Sequence, residues 1–309
     1  MHAADQKPLR WGILGAADIA IRRVIPAMHA ARHTTPFALA SRNAARAQDV
    51  AAQLGIPRAY GSYEDLLADP DVDAIYIPLP NTLHAEWTIR SAEAGKHVLC
   101  EKPLAASVAE CEAMLAACRQ AGVQLMEGFM YRFHPQHARV RALVAAGLIG
   151  QPTLIRTSFC VRMQRPPQDI RFSPTLGGGS LLDVGVYALD AARWLATTAP
   201  QVGPPSASPV APASPAPSSA WPVAPSSASP VAPAPSPASP DAPAPSPASP
   251  DAPASPASPP WPPHPLGRSA DPLAVSGHLA LDAHGVDLSA AATLTFPDHL
   301  LAAVTCSFQ

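Results

Sequence analysis

The sequence predicts an α/β protein: a doubly wound parallel sheet, then an α+β region. Three observations carry that prediction. From Leu9 to Gly128, short continuous apolar runs alternate with helical patterns. Such strands need a parallel sheet covered on both faces. After Phe129 the pattern changes, and 286–296 and 300–308 alternate apolar with small or polar residues. That spacing marks antiparallel strands with one buried face. Third, residues 200–265 hold 25 of the 40 prolines. Proline removes a backbone donor and fixes φ, so this tract joins neither layer.

The elements follow in order. LRWGILG (9–15) is a strand entering a turn, and 18–31 a helix interrupted by Pro26. FALAS (37–41) is the second strand, and 43–54 a helix that Gly55 is placed to end. VDAIYI, within 71–78, is a strand, followed by a helical pattern over 82–95 with a closing glycine. HVLC (97–100) is a strand, 107–121 a helix and VQLMEG (123–128) a strand. In the second part, 136–146 and 179–196 read as helices and 153–163 as a strand.

Composition narrows the function. Net charge is −2 with no basic block, so no nucleic-acid partner is expected. The five cysteines form no CxxC pair and no metal spacing. Their odd number in a chain of 309 residues argues against a disulfide framework. MHAADQKPLRW lacks an apolar signal core, and no apolar run is long enough to span a membrane. A reduced, cytoplasmic setting is the expectation.

Residues 234–243 and 244–253 are both APSPASPDAP, and 224–233 is a decayed copy. The tract is expected to be an extended, disordered insert. It has no basic residue beside a PxxP to orient a docking partner, and exact tandem copies read as duplicated coding sequence rather than a selected site. Replacing it by a short Gly-Ser bridge is therefore expected to leave thermal stability and cofactor affinity unchanged. A large loss of either, by calorimetry or titration, would show that the tract packs on the body.

The chemistry gathers at strand ends, where ligands bind in doubly wound sheets. GILGAADIA (12–20) occupies the first strand-to-helix turn, but only one of the three fingerprint glycines is present. Gly15, Ala17 and Ala20 take those places, with Ala16 between. Alone, the turn reads equally as phosphate cradle or ordinary connection. At the next strand end stand Ser41 and Arg42, with no acid to bind a ribose 2′-hydroxyl. A hydroxyl beside a guanidinium, with Arg46 one turn on, suits a 2′-phosphate and favours NADP over NAD. The competing reading has Ser41 capping the next helix and Arg42 in solvent. Asn81 suits both a helix cap and a cofactor contact. Glu101, Lys102 and Pro103 close another strand. Far downstream, Asp183 and Tyr187 share one helix face at i, i+4. A lysine beside a phenol favours the phenolate and lowers its pKa from about 10.

WGILGAADIA, ASRN, IPLPNTLH, CEKPLA, MYRFHP and LGGGSLLDVGVYALD, in that order, resemble the glucose–fructose oxidoreductase, inositol dehydrogenase and MocA family. Within it, the chain most resembles the branch of NADP-dependent xylose and dihydrodiol dehydrogenases. The resemblance runs from Arg10 to about Thr197 and resumes from about Leu273. It implies a Rossmann domain, placed here at 1–128. It also implies a substrate domain with an open, mostly antiparallel sheet, placed at 129–309 and interrupted by the insert at 199–272. It implies a catalytic lysine at Lys102 and a catalytic tyrosine at Tyr187. Asp183 would orient a substrate hydroxyl. The implied cofactor contacts are the Gly15 turn (Ala16 and Ala17 included), Ser41, Arg42, Arg46, Asn81, His84, Glu101 and Lys102. Arg132 would border nicotinamide and substrate. The implied reaction moves a hydride between NADP(H) and a sugar or vicinal diol, with copies pairing through the open sheet. The chain departs from the family at the proline tract and at Gln309, where the family continues through further strands. A truncated product is one expectation that follows. The rival readings are a cofactor-binding regulator or scaffold without turnover, and an inactive fragment.

Overall fold

Six strands form the first sheet: β1 (Leu9–Leu14), β2 (Thr34–Ala40), β3 (Arg58–Tyr60), β4 (Ala74–Ile77), β5 (His97–Cys100) and β6 (Leu125–Glu127). Their order is β3-β2-β1-β4-β5-β6, and every pair is parallel. The computed structural model describes residues 7–163, 169–198 and 271–308. All of β4 is buried, as a strand between two helical layers must be. Ile75 and Ile77 pack with Leu66 of α3 (Tyr63–Leu67), Trp87 of α4 (His84–Glu93) and Met114 of α5 (Val108–Ala121). Tyr76 faces the other way, toward Ile25 and Met28 of α1 (Ile25–Ala30) and Ala47 and Val50 of α2 (Ala44–Leu54).

The structure amends the reading locally. Pro26 lies inside a helical run that continues from residue 18 to 30, directly after its irregular part. Proline there removes one i→i−4 hydrogen bond, which a helix accommodates by a local irregularity. The irregularity is a π-turn at Ala20–Val24. β3 and α3 were not foreseen, being only three and five residues long. Asn43, not Ser41, caps α2, its side chain accepting from Arg46 N at 3.1 Å.

After α6 (Pro135–Ala145), the second sheet has the order β7-β10-β9-β8. Its strands are β7 (Leu154–Val161), β8 (Ala274–Leu281), β9 (Asp287–Thr295) and β10 (Leu301–Phe308). β9 is antiparallel to both neighbours, whereas β10 runs parallel to β7. The sheet is thus mixed. One face carries α7 (Val186–Ala196), whose Ala188 and Ala192 pack on Leu294, Ala302 and Val304. β8 was not foreseen, because AVSGHLAL is an edge strand with every residue exposed and no buried face to impose a pattern. The expected insert lies outside the described residues except for Asp271 and Pro272. Among the described residues, no helix is long and apolar enough to cross a membrane.

Candidate active site

The chain reverses its direction of travel across the sheet between β1 and β4, which opens a crevice at their carboxyl ends. Gly15 follows β1 with φ +95°, and a Cβ there would come 3.0 Å from Leu79 Cδ2 and 3.5 Å from Tyr63 Oη. The backbone conformation and the lack of room both demand glycine. Ala16 and Ala17 continue the turn, half-buried. Their carbonyls accept from Arg46 Nη2 at 3.1 Å and Ile21 N at 3.0 Å. At the end of β2, Ser41 is buried, its Oγ accepting from Asn43 N at 3.2 Å, while Arg42 is exposed. Burial raises the Tyr63 phenol pKa, and the Arg42 charge and hydrogen bond oppose that rise. A turn with no Cβ beside a crevice, and an exposed cation with no carboxylate at the end of β2, fit a dinucleotide bearing a 2′-phosphate.

Lys102 stands at the end of β5, with only 15% of its side chain exposed. Its Nζ donates to the Asp183 carbonyl at 2.6 Å and to Asp183 Oδ1 at 2.7 Å. Arg171 Nε donates to the other carboxylate oxygen at 3.1 Å. The Lys102 ammonium lies 5.2 Å from the Tyr187 ring centroid. The structure therefore brings Lys102, Asp183 and Tyr187 together. Asp183 lies in a π-turn, Leu181–Gly185, that leads into α7. There Val186 N reaches back to Leu181 O. Such turns redirect carbonyls away from the α-helical ladder.

The loop holding Lys102 is pinned at successive peptide groups. Lys102 N donates to Glu101 Oε2 at 3.3 Å, and Glu101 Oε1 accepts from Tyr76 Oη at 2.7 Å. Leu104 N donates to Glu127 Oε1 at 2.9 Å. Pro103 O lies 2.8 Å from His84 Nδ1.

Three expectations change. Lys102 does not bring the Tyr187 pKa below its ordinary value. Burial first, then the Glu101 and Asp183 charges, push the phenol up to about 12. His84 presents no surface to a cofactor. It is fully buried, and its ring nitrogens lie 2.8 Å from the Pro103 and Leu79 carbonyls, bridging the β4 and β5 loops. Asn81 caps no helix. Its Nδ2 donates to Gly177 O at 2.7 Å.

Arg132 is held by Asp190, its Nε donating to Oδ2 at 2.8 Å and its Nη2 to Oδ1. Tyr131 Oη donates to the same carboxylate at 2.5 Å. The sequence reading missed Asp190, Arg171 and Asp287. Asp190 had a signal, lying one turn beyond Tyr187 and so near the same helix face. Arg171 lies in a 3₁₀ turn, Ile170–Phe172, too short to show a period, and Asp287 opens a strand whose alternation names no partner.

Comparisons with known proteins follow this geometry. Residues 9–129 match the profile described as an oxidoreductase family with an NAD-binding Rossmann fold. Residues 137–203 match the GFO/IDH/MocA C-terminal domain. The structure of a 3-ketoreductase from Actinomadura kijaniata, in complex with NADP and TDP-benzene, superposes with a TM-score of 0.69 at 30% identity. That match covers 98% of this chain and 70% of the ketoreductase.

The chain belongs to the GFO/IDH/MocA oxidoreductase family.

Among the relatives in that family, D-xylose 1-dehydrogenase (NADP(+)) 2 of Haloferax volcanii is 54% identical over 185 residues, 60% of this chain and 56% of that protein. Trans-1,2-dihydrobenzene-1,2-diol dehydrogenase of Xenopus tropicalis is 37% identical over 182 residues, 58% of this chain and 54% of that protein. The chain thus spans little more than half the length of these curated relatives.

Proposed function

We propose that this chain is an NADP-dependent oxidoreductase acting on a CH–OH group, or its carbonyl, in a sugar or vicinal diol. The observation that carries this reading is the meeting of Lys102, Asp183 and Tyr187 at the carboxyl end of β5, from positions 81 residues apart in the case of Lys102 and Asp183. The relatives named for xylose and dihydrodiol oxidation support the substrate class. Bound NADP(H) supplies or accepts the hydride. Arg42, with Ser41 and Arg46, would hold the 2′-phosphate, and the Gly15 turn the pyrophosphate.

Tyr187 passes a proton to or from the substrate oxygen. A phenol held near 12 is protonated at neutral pH, so it is ready as an acid for carbonyl reduction. For oxidation it must first lose its proton. Lys102 donates a hydrogen bond to the substrate oxygen and offsets the Asp183 charge that would otherwise raise the phenol further. Asp183 accepts from a neighbouring substrate hydroxyl, its orientation fixed by Lys102 and Arg171.

The test is NADPH formation by the full chain with D-xylose and with trans-1,2-dihydrobenzene-1,2-diol. No turnover of either, alongside tight NADP binding, would favour the regulator reading. If Tyr187 is the base, kcat/KM for oxidation should rise about tenfold per pH unit between about pH 7 and 10, because the phenolate fraction does so below the pKa. A plateau below about pH 9 would assign the proton to another group. The same reading carries a cytoplasmic setting and pairing of copies through the uncovered face of the second sheet. Sedimentation tests the pairing.

A further inference from the structure

Asp287 opens β9, a strand of the second sheet, yet its carboxylate reaches the start of the helix that carries Asp183 and Tyr187. Its Oδ2 accepts from Leu181 N at 2.6 Å and from Ser180 Oγ at 2.9 Å. Ser180 is fully buried, with its Oγ also 3.6 Å from Cys306 Sγ. Gly179 has φ +123°, and a Cβ there would fall 2.0 Å from Asp287 Oδ1. The third glycine of the LGGGS run is thus required by the carboxylate that sits against it. The first helical N–H groups lack intrahelical acceptors, and an anion among them gains both hydrogen bonds and the favourable end of the helix dipole.

The anchored point lies two residues before Asp183, within the π-turn. On the far side of that turn, Gly185 is pressed to β10, where a Cβ would come 2.7 Å from Cys306 Sγ. The turn is therefore held at its start by Asp287 and at its end by the sheet. Between these two points, the Asp183 carbonyl and carboxylate both face Lys102 Nζ.

We infer that Asp287 is a positioning residue, which sets the start of the catalytic helix and thereby holds Asp183 against Lys102. The catalytic meaning of this placement rests on the proposed reaction, but the placement itself is testable without turnover. If Asp287 is lost, the turn relaxes toward an ordinary helix start and Asp183 withdraws. Lys102 then loses both acceptors and its ammonium opens to solvent.

The experiment measures acylation of Lys102 in the full chain by a trace water-soluble amine reagent, read by peptide mass spectrometry, with Lys7 and Lys96 as internal controls. Asp287→Ala should speed Lys102 modification by about tenfold, the scale of losing a charged cap, and leave Lys7 and Lys96 unchanged. Asp287→Asn, which keeps an oxygen acceptor, should restore a rate between the two. An unchanged Lys102 rate would overturn the inference. So would equal acceleration at buried Lys96, which would mean general loosening of the fold. In an active chain, Asp287→Ala should also lower kcat on D-xylose about tenfold, with NADPH affinity by fluorescence within about twofold, since the Asp287 carboxylate bonds Ser180 and Leu181 of the second part. A wild-type chain that does not turn over D-xylose would count against the proposed reaction, and the acylation rates would still decide the role of Asp287.

Discussion

Lys102→Met is expected to lower hydride transfer by roughly 10²-fold or more, the scale of a proton-transfer unit. Tyr187→Phe should cost about as much. The double variant should fall within about threefold of the worse single one, because groups that act together are not additive. In the proposed mechanism the lysine acts through Asp183. Its ammonium is bonded to Asp183 and lies 5.2 Å from the centre of the Tyr187 ring, so its influence on the phenol passes mainly through neutralising that carboxylate. Removing the lysine charge leaves Asp183 compensated by Arg171 alone. The Tyr187 pKa then rises above its already raised value, and the alkaline limb for oxidation moves to higher pH. Met keeps the bulk of the stem, so the fold is retained, as calorimetry would check. Full turnover by Lys102→Met would end this mechanism.

Arg42→Ala should weaken NADP by roughly 1.5–3 kcal/mol, the range for a charge-assisted contact. That is about ten- to a hundredfold in Kd. NAD, which lacks the phosphate, should change less than about twofold. Tyr63→Phe, which frees Arg42 from its phenol partner, should produce a smaller loss of the same selectivity. Titration by fluorescence quenching separates the cases. Equal weakening of both cofactors would remove Arg42 from the phosphate contact.

The parallel sheet was legible because burial on two faces leaves strands such as AIYI with no polar position. The ends of α2 and α4 were legible as well, since Gly55 and Gly95 take left-handed conformations just past them. The short β3 and α3 were not, because three to five residues are too few to show a period. At the site, motif position singled out Lys102, Asp183 and Tyr187, but the electrostatic balance between them depends on three-dimensional distance. Lys102 alone suggested a lowered phenol. Glu101, Asp183 and burial decide the opposite. His84 depends on three-dimensional placement in the same way. Its place near a cofactor loop is plain in IPLPNTLH, but its side chain turns inward to the Leu79 and Pro103 carbonyls. Asp287 carried no local signal, since its partner Leu181 lies 106 residues earlier.

The parallel pairing of β10 with β7 also sets an order of events during synthesis. Ser158 and Thr305 share a hydrogen bond across 147 residues. At about 5–20 residues per second, a ribosome needs roughly 7–30 s to make the intervening chain. During that interval β7 has been made, but the strand that pairs with it has not. The apolar side of α7 likewise has no Ala302 or Val304 to rest on. The first sheet needs nothing beyond Glu127 and can complete its strand pairing at once. The nascent chain would therefore carry a finished nucleotide-binding half beside an exposed strand edge, a state open to pairing with a second nascent copy until β10 arrives.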